Sequence, residues 1–298
     1  MKFLKNREQI TAAFIKEHIS THIPVTDDTA NVLDVGCDNF AIDFGDIIVR
    51  LPSDKEALHA LKFETTVCRY IDVPSLQTPK TQVVEAQYPF SWHRKIPGSY
   101  FLTKAYESLN NDQKDKIASQ LAEFLITFHS LSIDEMCSAG GEDLEDYVSL
   151  SYMRENSQVI PNDLKDHFER FTQTYETLYV PEKDRVFGYF DAHGWNMAFN
   201  QEKGELIGVY DFADSGIGDV HQDFHPMNTI SQDLVTRVVH KYEVLQGRTI
   251  NISKVNFYTV LAEYSDFFEV AKGQQTLMEK GLEHHIQQLK RWEKEIEF

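Results

Sequence analysis

Two stretches of the sequence decide the fold: FDAHGWN, residues 190–196, and VYDFADSGIGD, residues 209–219. The first holds Asp191 and Asn196 in a D-x-x-x-x-N arrangement, and the second holds Asp211 directly after a short apolar run. Each stretch follows a predicted strand, and we expect the two strands to hold the loops side by side so that the three polar side chains meet. Asp and Asn are also common at strand ends because they bond to their own backbone, so acidic turns without further purpose are the alternative.

The residue types and their spacing match the D-x-x-x-x-N and Asp-Phe segments of kinase-type phosphotransferases. Phosphoryl transfer needs a carboxylate to receive the proton of the attacking hydroxyl, and hard oxygen ligands to hold magnesium against the phosphates. The pattern therefore predicts Asp191 as the catalytic carboxylate, with Asn196 and Asp211 as ligands of Mg²⁺. Other familiar sites are excluded, because the sequence contains no Walker A loop, no G-x-G-x-x-G, no G-x-S-x-G and no H-E-x-x-H.

Composition limits the classes of protein and partner. The chain has 298 residues, of which 42% are hydrophobic and 26% charged, so a sizeable core is available and one large domain or two lobes are expected. Acidic residues outnumber basic ones by 47 to 29, a net charge of −18, which argues against nucleic acid and anionic membranes. A cationic small molecule is the better partner, although solubility alone also accounts for an acidic surface.

Cysteine usage and hydropathy predict a cytoplasmic protein. The three cysteines include no pair at C-x-x-C spacing, so neither a disulfide framework nor a zinc knuckle is expected. The first residues lack the apolar core of a secretory signal, and no segment approaches the length of a membrane span.

The pattern changes along the chain at the segment KIPGS, residues 95–99. Before it come strand-like runs between residues 31 and 94, interrupted by a helix for which we predict Ser53 as the N-cap. After it the sequence is mainly helical, beginning with a long amphipathic pattern over residues 110–131. We therefore predict lobes over residues 1–95 and 96–298, the first holding the nucleotide and the second carrying the catalytic and substrate-binding residues.

The sequence resembles the aminoglycoside phosphotransferase family, whose two central motifs read H-G-D-x-H-x-x-N and I-D-[FW]-x-x-x-x-x-G-[DP]. The positions that match are Asp191, His193, Asn196, Asp211, Gly218 and Asp219. Three further segments are similar in order along the chain: GCDNFAIDFGDIIVRLP, ALKFETTVCRYI and LAEFLITFHSL. KGLEHHI, near the end, resembles the 2''-phosphotransferase branch. The resemblance implies an α+β, protein-kinase-like, two-lobe fold, with a small antiparallel-sheet lobe containing one key helix and a larger helical lobe.

The resemblance also implies how ATP or GTP binds as co-substrate. Arg50 stands where the family has its phosphate-binding Lys, and Glu64 is its implied partner on the following helix. The strand that links the lobes holds the base through backbone groups, with Arg94 and Ile96 alternating toward it. Tyr189 and Phe190 depart from the family by replacing the His and Gly before the catalytic Asp, which makes the geometry of this loop less certain.

The acceptor that the resemblance implies is an aminoglycoside, a cationic small molecule, and we expect a monomeric enzyme. Glu263, Asp266 and Glu269 recur at three-residue steps on a predicted helix and are the candidate substrate-binding acids. A solvated helical face is the alternative for these acids. Kinases of choline, homoserine, sugars or macrolides are the alternatives for the activity, and a degenerate nucleotide-binding homologue is a further one.

Other histidines are expected to have structural roles. His129 lies beside the apolar stripe of the long helix and is predicted to be a satisfied core residue, while His284 and His285 are predicted to lie on a solvated face.

Overall fold

The computed structural model describes residues 1–33, 39–144, 147–273 and 281–298. The chain forms two compact units with interleaved segments. The first unit comprises Met1–Phe101, Leu131–Gly141 and Trp195–Ser215, and the second comprises Leu102–Ser130, Glu142–Gly194 and Gly216–Phe298. The division into lobes 1–95 and 96–298 stays a prediction, and the G-x-x-N hairpin of residues 36–39 falls largely outside the described residues.

The strands in chain order are β1 (Asn31–Val32), β2 (Asn39–Asp43), β3 (Ile47–Pro52), β4 (Gln82–Val84), β5 (Phe90–Arg94), β6 (Ser99–Tyr100), β7 (Arg185–Gly188), β8 (Met197–Asn200), β9 (Glu205–Val209) and β10 (Gly216–Asp219). The helices in chain order are α1 (Ala12–His18), α2 (Lys55–Tyr70), α3 (Thr103–Glu107), α4 (Asn111–His129), α5 (Ile133–Ser138), α6 (Leu150–Glu155), α7 (Lys165–Glu176), α8 (Gln232–Gln246), α9 (Ile252–Ala271) and α10 (Leu282–Glu295). No helix in the described part of the chain has both the length and the apolar character needed to cross a bilayer.

The first unit contains an antiparallel sheet in the order β1-β2-β3-β5-β4, and its five strands lie within the strand-like part of the sequence, residues 31–94. Ile47, Val49 and Leu51 alternate into a core to which α1 contributes Ile15, so the opposite face of β3 presents Arg50. Helix α2 begins one residue later than predicted: Asp54, not Ser53, is its N-cap, and the Asp54 side chain accepts from Ala57 N–H. An Asp at this position also places negative charge beside the positive end of the helix dipole.

The second unit is mainly helical, as predicted. Helix α4 confirms the long amphipathic pattern, with these apolar residues fully buried: Ile117, Leu121, Phe124, Leu125 and Phe128. A second core joins α7, α9 and α10, where the ring centroids of Phe171 and Tyr264 lie 4.5 Å apart. Within residues 147–160, Leu150–Glu155 form α6.

The strands before the two polar loops do not pair with each other, contrary to the prediction. β7 pairs with β10 within the second unit, and β9 pairs with β8 within the first. The sequence of residues 185–219 predicts two strands, but the structure has four, β7 to β10, because a further short strand follows each loop. Pairing between distant strands depends on the whole fold, which local alternation does not reveal.

Candidate active site

Three charged side chains meet in the first unit. Arg50 on β3 forms an ion pair with Glu64 on α2, and its Nη1 lies 3.6 Å from Asp211 Oδ1. Glu64 is fully buried and accepts a hydrogen bond of 3.3 Å from the backbone N–H of Phe212. Glu64 therefore joins the sheet, the helix and the Asp-Phe loop through one carboxylate.

The electrostatics of this group keep Arg50 charged. Burial acts to lower the pKa of the guanidinium, but the charges of Glu64 and Asp211 outweigh it and the net pKa is raised. Arg50 Nε is buried without a hydrogen-bond partner in the described structure. A buried donor of this kind requires an acceptor, and a guanidinium fits phosphate oxygens in a bidentate manner.

Asn196 and Asp211 lie at the same end of the hairpin that β8 and β9 form. Met197 pairs with Val209 at one end of β8 and β9, and Tyr210 N–H donates to the backbone carbonyl of Asn196 over 3.0 Å. Asn196 is buried, whereas the carboxylate of Asp211 is 47% exposed. Asp211 has a φ of 65°, a left-handed conformation rare outside glycine and frequent at functional sites.

The donor set at this hairpin fits Mg²⁺. Magnesium is usually bound through one or two carboxylates together with substrate phosphates and waters, so one carboxylate and one amide oxygen suffice on the protein side. Within the described ranges, no three His, Cys, Asp or Glu residues are grouped to hold a metal by themselves. An ion at Asp211 and Asn196 would thus take its other ligands from the nucleotide and water.

Asp191 and His193 lie together in the second unit. His193 Nε2 is 3.2 Å from Asp191 Oδ1, and the His193 backbone N–H donates to the Asp191 carbonyl over 2.8 Å. The two side chains are 23% and 24% exposed, so the carboxylate is accessible and has a defined orientation.

Sequence reasoning missed Asp223, which holds the backbone just before Asp191. Its Oδ2 accepts from Tyr189 N–H over 2.8 Å and its Oδ1 from Phe190 N–H over 2.6 Å, while His129 Nε2 lies 2.9 Å from Oδ2. Phe190 has a φ of 62°, so these bonds stabilise a backbone conformation that a bulky residue rarely adopts. In the sequence, Asp223 stands out only as the one acidic residue between the apolar residues Val220 and Phe224.

Gly188 is required by the same arrangement. A Cβ at this position would lie 2.5 Å from Asp223 Oδ2, so any side chain would displace the carboxylate that holds the loop. Tyr189 is fully buried, and its ring centroid lies 5.2 Å from that of Phe124 on α4. Tyr189 therefore supports the loop by packing, while its backbone N–H supplies the hydrogen bond.

His129 confirms the prediction of a satisfied core histidine. Its Nδ1 lies 2.9 Å from the hydroxyl of Tyr242, and its Nε2 bonds to Asp223, so both ring nitrogens have partners. His129 thereby links α4 and α8 to the carboxylate that holds the loop.

In the segment predicted to hold the base, residues 93–96, Arg94 ends β5 and Ile96 follows it. Arg94 is 84% exposed and lies 3.8 Å from Asp46, whereas Ile96 is buried, so the two side chains do not share one environment. His93 Nδ1 is 2.9 Å from the backbone carbonyl of Arg94. Burial and the nearby charge of Arg50 lower the pKa of His93 to about 4, so this ring is neutral at neutral pH and Nδ1 is the donor.

Two of the acids predicted to bind substrate, Glu263 and Glu269, contact basic side chains. Glu263 lies 2.7 Å from His285 Nδ1 on α10, and Glu269 lies 2.8 Å from Lys272, while Asp266 is exposed. His285 is 3% exposed, so the prediction that it lies on a solvated face is wrong. The side chain of His285 faces α9 because the two helices pack together, which the pattern of α10 alone does not indicate.

The structure thus brings Arg50, Glu64 and Asp211 together in the first unit. Asn196 lies at the end of the β8–β9 hairpin that also leads to Asp211, and Asp191 lies in the second unit. A sheet-borne cation paired with a helical Glu beside an Asp-Phe loop defines a kinase-like phosphotransferase, the α+β two-lobe class predicted from the sequence. A sequence model of the phosphotransferase enzyme family matches residues 30–249, and the chain belongs to that family. The protein is therefore an enzyme, a phosphotransferase with an alcohol group as acceptor.

Solved structures with the same fold include antibiotic kinases. The chain has 19% identity to the GDP and kanamycin complex of an aminoglycoside phosphotransferase, APH(2'')-IIIa, with a TM-score of 0.76, over 95% of this chain and 99% of that one. It has 20% identity to the streptomycin and ATP complex of APH(2'')-IIa, with a TM-score of 0.64, over 94% and 96%. A macrolide 2'-phosphotransferase from Brachybacterium faecium has 13% identity and a TM-score of 0.61, over 97% and 100%. At these identities the likeness shows the fold, and the branch stays a prediction.

Proposed function

We propose that the enzyme transfers the γ-phosphoryl group of ATP or GTP to a hydroxyl of a small molecule of the aminoglycoside type. The contact of Arg50 with both Glu64 and Asp211 carries this proposal, because phosphoryl transfer uses a cation that binds phosphate next to a carboxylate that binds magnesium. The solved structures with this fold support both halves of it, since one is a complex with GDP and kanamycin and another a complex with ATP and streptomycin.

In this proposal each residue of the site has a different role in phosphoryl transfer. The acceptor oxygen forms a bond to the γ-phosphorus as the bond between that phosphorus and the β,γ-bridging oxygen breaks, and Asp191 Oδ1 or Oδ2 receives the hydroxyl proton. Arg50 binds phosphate oxygens through its guanidinium, and Glu64 orients Arg50. Asn196 and Asp211 would hold Mg²⁺, which would neutralise charge on the phosphates.

Backbone groups of residues 93–96 hold the purine base in this proposal, with Arg94 and Ile96 at its edge. His93 supports it, because its bond to the Arg94 carbonyl fixes the peptide orientation in this segment.

A second candidate is a kinase of a less cationic metabolite or antibiotic. The pairing of Glu269 with Lys272 favours it, because a carboxylate that has a cationic partner attracts a polycation less strongly. A degenerate nucleotide-binding homologue is the least favoured, since Arg50, Asp191, Asn196 and Asp211 are all present.

Nucleotide consumption across aminoglycosides, aminoalcohols, sugars and macrolides tests the proposal, with Asp191→Asn as the decisive variant. We expect kcat to fall roughly 10²–10⁴-fold with nucleotide affinity unchanged, because the carboxylate acts on the acceptor hydroxyl. Asp163→Asn is the matched control, since Asp163 is 61% exposed and pairs only at the surface with Lys290. Turnover by Asp191→Asn within about threefold of wild type would show that another group accepts the proton.

A further inference from the structure

Tyr210 lies between the two proposed magnesium ligands, directly after β9 and directly before Asp211. It is joined to the turn that carries Asn196 through both its backbone and its side chain. The backbone N–H of Tyr210 donates to the carbonyl of Asn196 over 3.0 Å, and its hydroxyl donates to the carbonyl of Trp195 over 2.7 Å. All four residues belong to the first unit, so one tyrosine holds two successive carbonyls of the turn.

The hydroxyl bond is additional to the pairing of the two strands. The bond from Tyr210 N–H to Asn196 continues the antiparallel ladder of β8 and β9 and does not depend on the side chain. The bond from the hydroxyl to Trp195 requires tyrosine. The family motif I-D-[FW] has Ile before its Asp, and Ile has no side-chain donor, so this second bond is a feature of this chain's own sequence.

The hydroxyl of Tyr210 is a reliable donor. The O–H···O distance of 2.7 Å is normal for a well-formed hydrogen bond. Burial raises the pKa of Tyr210, and the neighbouring Tyr100 and Asp211 add to this effect. The phenol therefore keeps its proton at neutral pH and remains bonded to the carbonyl.

The two neighbours of Asp211 hold it in a strained backbone conformation. Asp211 has a φ of 65°, which an L-residue adopts only where the surrounding structure imposes it. On one side Tyr210 is fixed to the turn of Asn196, and on the other side Phe212 N–H donates to Glu64. Loss of the Tyr210 hydroxyl would free one of these two sides, and Asp211 could then move relative to Asn196.

We propose that Tyr210 is a positioning residue whose hydroxyl fixes Asp211 relative to Asn196 and thereby makes the metal site selective for Mg²⁺ over Ca²⁺. The inference rests on the proposed function, which assigns the metal to Asn196 and Asp211. Magnesium requires near-ideal octahedral geometry at short distances, whereas calcium accepts more ligands at longer and more variable distances. A hairpin end that is loosened therefore weakens the binding of Mg²⁺ more than that of Ca²⁺.

Titration calorimetry with the β,γ-imido analogues of ATP and GTP tests the inference in EDTA, in Mg²⁺ and in Ca²⁺. The measured quantity is the strengthening, the Kd of the analogue without metal divided by its Kd with metal. In Tyr210→Phe the strengthening by Mg²⁺ should fall roughly fivefold, the effect of one neutral hydrogen bond, and that by Ca²⁺ less than about twofold. Tyr264→Phe is the matched control and should change neither ratio, because it removes a buried hydroxyl that bonds to His167 over 2.8 Å in the second unit.

The comparison of the two metals separates positioning from a merely structural role, because a general loss of stability weakens the binding of both. Tyr210→Ile also lacks the hydroxyl and should give the same ratios, and it replaces Tyr210→Phe if thermal unfolding shows that the latter does not fold. An unchanged strengthening by Mg²⁺, or an equal or larger loss with Ca²⁺, overturns the inference and leaves the proposed function intact. Absence of any strengthening by Mg²⁺ in wild type refutes the metal assignment of the proposed function, and the inference with it.

Discussion

Replacement of Asp223 by Asn should release the loop that carries Asp191. The carboxylate accepts from two successive backbone N–H groups, those of Tyr189 and Phe190, and also contacts His129. Asn keeps one acceptor oxygen and turns the other into a donor, so at least one of these N–H groups loses its partner. A buried hydrogen bond to a charged group contributes about 1.5–3 kcal/mol, and we expect a loss of stability of about 2 kcal/mol.

The expected loss of stability is about as large as the backbone strain at Phe190, which the bonds to Asp223 offset. Phe190 at a φ of 62° occupies a conformation that costs an L-residue about 1–2 kcal/mol. Without the second hydrogen bond, a relaxed conformation becomes competitive and Asp191 moves from its position. We therefore expect kcat to fall at least tenfold, by the 1.36 kcal/mol per decade relation, with the KM for nucleotide changed less than about twofold.

Urea unfolding and steady-state kinetics of Asp223→Asn test both numbers, with Asp163→Asn as a surface control. The Phe190→Gly background supplies the sharper test, because glycine adopts this φ without strain. There the kcat penalty of Asp223→Asn should shrink. A folded Asp223→Asn enzyme with kcat within threefold of wild type, or an equal penalty in both backgrounds, would refute the view that Asp223 acts by holding a strained loop.

Three further predictions concern Asp211, the pair of Arg50 with Glu64, and Asp219. Asp211→Ala should abolish the strengthening of nucleotide binding by Mg²⁺ in titration calorimetry, and equal strengthening in mutant and wild type would exclude it as a ligand. Arg50→Ala should cost about 3–5 kcal/mol in urea unfolding because it leaves Glu64 buried and uncompensated, while Arg50→Met with Glu64→Leu should cost less; equal costs would contradict this. Asp219→Asn should lose about 2 kcal/mol near pH 6, because burial acts to raise the pKa of Asp219 but bonds from His221 and Lys254 lower it to about 2. Since a depressed carboxyl pKa stabilises the fold above the unfolded value, the difference from wild type should disappear as the pH falls from about 4 to 2, and a difference independent of pH would assign it to packing.

The sequence predicted the elements that depend on local patterns. The strand-like run around residues 46–52 led to β3, and the 3/4 spacing of apolar residues in α4 led to its buried face. The motif Asp-Phe led to Asp211, and the structure places it beside Arg50. These features could be predicted because they depend only on the types and the spacing of residues that are close together in the chain.

The missed features depend on contacts between distant parts of the chain. Asp223 acts on backbone groups 33 and 34 positions away, and a backbone N–H has no letter in the sequence. The burial of His285 depends on α10 packing against α9, and the partner of β7 is β10, not β9. Neither follows from the periodicity of one element, because pairing and packing are settled by the whole fold.

The net charge of −18 is a weaker guide to the acceptor than the local pairing of each carboxylate. Glu64 is paired with Arg50, Asp219 with Lys254, and Glu269 with Lys272. Each of these acids counts fully in the charge of the chain but attracts a cation far less than an isolated acid would, because its partner cancels the field at short range. The net charge therefore overstates the attraction of this chain for a polycation, and the acceptor has to be identified from the unpaired carboxylates near Asp191 and not from the composition.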